Sequence, residues 1–103
     1  MYIGQVTLTE NWQKLEDLIK AQVAGQSAFA FAAGKTYQLQ GEGSYGVRLC
    51  NASTTPQALN DGERICQNQT ALYEKEDGAF LYVKQIADTP QESARLKISQ
   101  VGD

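Results

Sequence analysis

Histidine is absent from the 103 residues. The chain therefore lacks the usual general base near neutral pH and the commonest metal ligand. Ser-His-Asp and Cys-His nucleophilic sets are excluded within one chain. Cysteine is scarce, with Cys50 and Cys66 standing alone and no CxxC spacing. Two thiolates without histidine make a poor zinc site. A Cys50–Cys66 disulfide is one arrangement, closing a loop worth about 3 kcal/mol in the chain-entropy description. Two separate small hydrophobes are the preferred reading, because the expected compartment is reducing.

Long apolar runs are missing too. The longest run of small and apolar residues, Ala28 to Ala33, is far below the ~18 residues of a spanning helix. The opening residues, MYIGQVTLTENW, carry no basic segment followed by an apolar one, so synthesis in the cytoplasm is expected. Positive charge is sparse and scattered. Nine Lys/Arg face twelve Asp/Glu, and of the basic residues only Arg95 and Lys97 lie close together. Nucleic-acid binders cluster such residues to displace counterions, so no nucleic-acid partner is expected. The net charge of −3 also argues against anionic membranes.

What is present fits one domain, residues 1–103, with a modest core. Apolar residues make up 42% of the chain, a normal globular share. Period-two alternation predicts a strand over Tyr2 to Leu8, with Tyr2, Val6 and Leu8 on one face and Ile3 and Thr7 on the other. Thr9 offers a capping oxygen, and a helix is predicted over residues 10–23. Trp12, Leu15, Leu18, Ile19 and Val23 form its apolar stripe. Glu10 faces Lys14 and Glu16 faces Lys20, one turn apart, and Gly25 is the terminator.

The remaining strands fall within residues 28–99. Ala28 to Phe31 and Thr36 to Gln40 are expected to pair around Ala33-Gly34-Lys35. Tyr45 to Cys50 follows, then a polar connection with Pro56 and Asp61-Gly62, and a short strand at Arg64 to Cys66. ALYEK, Glu76-Asp77-Gly78 and AFLYVKQI read as a β-hairpin. Both faces of its second strand are apolar, so that strand is expected to be central. A last strand sets Ala94, Leu96 and Ile98 on one face and Arg95 and Lys97 on the other. The expected fold is mainly β (α+β): a six- or seven-stranded antiparallel sandwich or small barrel with one N-terminal amphipathic helix.

Chemical motifs reduce to turns. Gly34-Lys35-Thr36 resembles the end of a phosphate loop, but Phe29 stands where its first glycine belongs. Gly41-Glu42-Gly43-Ser44-Tyr45-Gly46 has dinucleotide-loop spacing, but strand-forming Val47 to Cys50 follow where a helix should begin. A hairpin connection is the better reading. Asn51-Ala52-Ser53 and Asn68-Gln69-Thr70 match the glycosylation acceptor pattern and are read as polar loops. Carboxylates gather at Glu74, Glu76 and Asp77 and at Asp61 and Glu63. Such pairs serve glycoside hydrolysis or weak calcium binding only when they converge. Beside Asp-Gly turns they read as solvated. No catalytic, cofactor-binding or metal-binding residue is assigned, no cofactor is expected, and the protein is expected not to be an enzyme.

The order TYQLQGEGSYGVRLCNASTTP, NDGERI, ALYEKEDGAFLYVKQI and ARLKIS, from Thr36 to Ile98, resembles small β-rich structural proteins of tailed bacteriophages and prophages, of the head-decoration, head-fibre or fibre-base kind. The shared elements are Val47-Arg48-Leu49-Cys50, Pro56, Asp61-Gly62, Leu81-Tyr82-Val83-Lys84 and Leu96-Ile98, over about three-fifths of the chain. The resemblance implies a virion component made in the host cytoplasm. Its partners would be other phage structural proteins or copies of itself, and it carries over no functional residue. The alternative is a carbohydrate-binding or host-surface-recognition module using outward tyrosines and the Asn51–Asn60 loop.

Overall fold

A computed structural model describes residues 1–42, 46–56, 62–65, 69–86 and 94–102. Its elements are β1 (Tyr2–Thr7), β2 (Gln13–Lys14), α1 (Leu15–Gln22), β3 (Thr36–Glu42), β4 (Val47–Ala52), β5 (Glu63–Ile65), β6 (Thr70–Glu74), β7 (Phe80–Gln85) and β8 (Arg95–Val101). They form two four-stranded sheets, ordered β1-β8-β3-β6 and β2-β7-β4-β5, with every strand pair antiparallel. The mainly β expectation holds. Among the described residues there are eight strands, in two sheets that do not close into a barrel.

Consecutive strands mostly belong to opposite sheets, and β4 and β5 are the one consecutive pair that is hydrogen-bonded together. The predicted hairpin is thereby corrected: β6 pairs with β3, while β7 pairs with β2 and β4. The turn chemistry gives the reason. Ala79 donates its N–H to the Glu76 carbonyl (3.3 Å), and Gly78, third in that turn, has φ +75°. Positive φ at the third position is type II geometry, which splays flanking strands where a hairpin turn would twist them together. Lys75 secures the crossing by donating to the Glu76 and Ala79 carbonyls. Its ammonium also lies 4.7 Å from the Phe80 ring centre. The supposed hairpin connection between β3 and β4 likewise crosses between sheets; residues 43–45 within it lie outside the described residues.

The helix is shorter than predicted. Gln13 and Lys14 pair with Val83 and Tyr82, so their backbone belongs to the sheet and α1 starts at Leu15. Thr9 caps no helix; its hydroxyl accepts from the Asn11 N–H (3.3 Å) and donates to Gln13 Oε1 (3.0 Å). Trp12 therefore leaves the stripe and is half-buried, while Leu15, Leu18 and Ile19 are buried as the 3.6-residue period requires. Glu16 turns from Lys20 to accept the Phe31 N–H (3.0 Å), and Lys20 meets Asp17 instead (3.9 Å). Gly25, at φ +81°, follows the helix end at Val23.

Alternation in β1 breaks at a bulge. Tyr2 opposes Ser99, but Gly4 opposes Ile98, so Ile3 is the extra residue. Val6, Leu8 and Ile3 consequently point inward and Tyr2 outward, which exchanges the predicted faces of Tyr2 and Ile3. Ala28 to Phe31 form no strand. Phe31 instead anchors the loop, its ring edge-on to Phe29, Tyr37 and Tyr73 at 5.0, 4.7 and 5.0 Å between centres.

One hydrophobic cluster draws on both sheets and the helix, including Leu39, Leu96 and Ile98 from one sheet, Val47 and Val83 from the other, and Leu15 and Ile19 from α1. β7 is central, with Leu81 to Gln85 all buried. The β8 alternation holds, with Ala94, Leu96 and Ile98 buried and Arg95 exposed. Lys97 reaches Glu42 (3.1 Å) on the outer face.

Candidate functional site

The helix contacts β1, β2 and β7, so it closes the side where one edge of each sheet comes together. The opposite side, between β6 and the β4–β5 pair, carries a groove of about 410 Å³ lined by Leu39, Leu49, Ala71, Tyr73 and Leu81. Glu63, Glu74 and Glu76 line it as well, and all three side chains are exposed to solvent. Among the described residues, no three His, Cys, Asp or Glu side chains are placed to hold a metal ion. Asp61, the other predicted carboxylate, lies outside the described residues. Cys50, half-buried on β4, also lines the groove. Its suggested partner Cys66 lies outside the described residues.

Tyr73 carries the anomaly of this groove. Its hydroxyl is buried with no hydrogen-bond partner, whereas Tyr37 accepts the Ala32 N–H through its own hydroxyl (2.9 Å). Burial, followed by the charges of Glu16 and Glu76 and then Tyr37, pushes the Tyr73 phenol from 10.0 up to about 12. The folded state thus keeps its proton after the unfolded chain has lost it. Stability from this residue is intact below pH 10 and falls as pH rises toward 12. We expect Tyr73→Phe to stabilise the protein by about 1–2 kcal/mol, by removing an unsatisfied buried group. It should also lessen the alkaline loss. Urea denaturation of both proteins at neutral pH and above pH 10 measures the two effects; an unchanged alkaline slope would refute the assignment.

The phosphate-loop look-alike is a turn, in which Lys35 donates to the Ala32 carbonyl (3.3 Å) and Gly34 has φ +78°. Gly46, last of the spaced glycines, leads into strand β4. A second depression, beside Trp12, Lys14, Asp17 and Tyr82, holds about 460 Å³. The tyrosine platform of the carbohydrate reading is mostly inside: Tyr37, Tyr73 and Tyr82 are buried. Tyr45 lies outside the described residues.

Further exposed apolar residues stand on the outer face of the β1-β8-β3-β6 sheet, spread over three of its strands. Direct cross-strand pairing sets Leu72, Gln38, Ser99 and Tyr2 in one row and Glu74, Thr36 and Val101 in the next. Leu72, Tyr2 and Val101 are 71%, 60% and 47% exposed. The sequence did not single out Leu72. Leu72 and Tyr73 are both apolar neighbours in β6, and alternation alone does not say which faces in. Compared with known proteins, the chain matches no family model, no curated protein and no solved structure.

Proposed function

We propose that this chain is a non-enzymatic structural protein of a phage or prophage particle, acting by assembly on a capsid or tail surface or by self-association. The observation that carries the reading is the outer sheet face, where Leu72, Tyr2 and Val101 stand exposed around polar Gln38, Thr36 and Ser99. Exposed apolar side chains on an open sheet face are available for contact with another protein, and such a face suits that contact better than capture of a small molecule, which a concave pocket serves. The two sheets are read as the layers of a sandwich, whose shared core leaves this face free. Its side chains include no histidine to titrate near neutrality, so the contact should be insensitive to pH between about 6 and 8.

The test is co-sedimentation with purified particles from the host strain that carries the gene. The expected result is saturable binding, with the protein also found in particles by mass spectrometry. A protein absent from particles that neither sediments with them nor self-associates would overturn the proposal.

A further inference from the structure

Among the described residues four strand edges bound the two sheets, and three of them are blunted. β2 has two residues and β5 has three, and very short edges are poor templates for pairing. The β1 edge is covered by the helix end. The Gln22 side-chain amide donates to the Thr7 carbonyl (3.0 Å) and accepts the Thr7 N–H (2.7 Å), as a neighbouring strand would. Val23 packs against Gly4 so closely that a Cβ there would lie 2.6 Å from its methyl carbon. β6 is different. It runs for five residues with no proline and one charge, Glu74. Among the described residues no strand pairs with its outer edge, and the isolated bridge of Ala33 falls on Lys75, just past its end.

The hydrogen-bond parity of that edge can be worked out. Gly41 donates to the Gln69 carbonyl (3.1 Å), and the same register sets Leu39 opposite Ala71 and Tyr37 opposite Tyr73. Bonded and non-bonded pairs alternate along an antiparallel ladder, so residues 69, 71 and 73 spend their backbone groups on β3. Thr70, Leu72 and Glu74 aim theirs outward.

We propose that this edge pairs with the same edge of a second copy, antiparallel and two-fold symmetric, with Leu72 opposite Leu72. The inference rests on the self-association part of the proposed function. In this register Thr70 opposes Glu74 of the other copy on both sides of the axis, and residues 70, 72 and 74 of each strand exchange bonds. The four-stranded sheet becomes eight-stranded, and the two most exposed strand leucines cover each other. Parity also permits axes through Ala71 or Tyr73. Those set Leu72 against Thr70 or Glu74, losing the apolar pair, and cross-strand pairs of like character are the favourable ones. No two like charges face each other in the Leu72 register.

Sedimentation equilibrium on the purified full chain, from micromolar to millimolar concentration, tests the proposal. The expected result is a dimer, with self-association weakened about tenfold or more in Leu72→Lys, where two cations would face each other at the axis. Register is read by cross-linking. Leu72→Cys should form an intermolecular disulfide on mild oxidation, since bonded pairs lie about 5.5 Å apart at Cα. Thr70→Cys and Glu74→Cys should not, because each lies roughly 13 Å from its own counterpart. The wild type, with Cys50 and Cys66, is the background. A monomeric wild type, a dimer indifferent to Leu72→Lys, or cross-links at position 70 or 74 instead of 72 would each overturn the edge pairing. Particle binding is read separately: a monomer that co-sediments keeps the assembly role and loses only this dimer.

Discussion

A Gly62→Ala protein is expected to lose about 2–5 kcal/mol of stability, close to the whole margin of a marginally stable small domain. Two costs add. Gly62 has φ +80°, a conformation that costs a residue with a Cβ about 1–2 kcal/mol. The added Cβ would also overlap the carbonyl of Leu49 and lie 2.9 Å from Cys50 Cβ. That carbonyl belongs to β4, held between β5 and β7, so it cannot move aside cheaply, and overpacking adds about 1–3 kcal/mol. Gly78→Ala is the internal control. Gly78 has φ +75° but open space around its Cβ position, so only the conformational cost applies. Thermal or urea unfolding of both variants separates the terms, and equal losses would show that the Leu49 overlap is relieved for free.

Phe31→Ala is expected to cost about 3–5 kcal/mol, as for other buried aromatic truncations. Phe31 is 5% exposed and stands at the centre of the ring cluster with Phe29, Tyr37 and Tyr73. Its backbone N–H is also held by Glu16 of the helix, so the residue joins α1 to the sheet containing β3 and β6. The loss should appear as a lower urea midpoint together with reduced near-ultraviolet dichroism from the tyrosines. A variant within 1 kcal/mol of the wild type would mean that the loop re-docks around Phe29.

Legibility in the sequence followed the range of each interaction. The β8 alternation and the Leu15, Leu18 and Ile19 stripe were readable, because both depend on a local period. The helix start was not: Glu10 to Lys14 suit a helix, and only pairing with the distant β7 converts Gln13 and Lys14 to strand. The bulge at Ile3 is equally invisible, since it is defined by the spacing of β8 partners. The β6–β7 error has the same origin. Glu76-Asp77-Gly78 announces a turn but says nothing of whether the strands leaving it share a sheet. Of the candidate site, the Glu76-Asp77-Gly78 turn was legible. The open β6 edge was not, because an edge is a statement about what fails to arrive.

The place of β8 has a consequence for how the protein is made. Synthesised last among the strands, it lies between β1 and β3, and the Gln100 N–H donates to the Met1 carbonyl (2.7 Å). Until β8 has been made, β1 has no strand partner and β3 can pair only with β6. β1 must wait until the strands between them have been made before its partner arrives, with Val6 and Leu8 uncovered. Non-local closure of this kind is slow, and exposed strand edges during the wait invite aggregation. Chaperone demand should accordingly fall on the newly made chain.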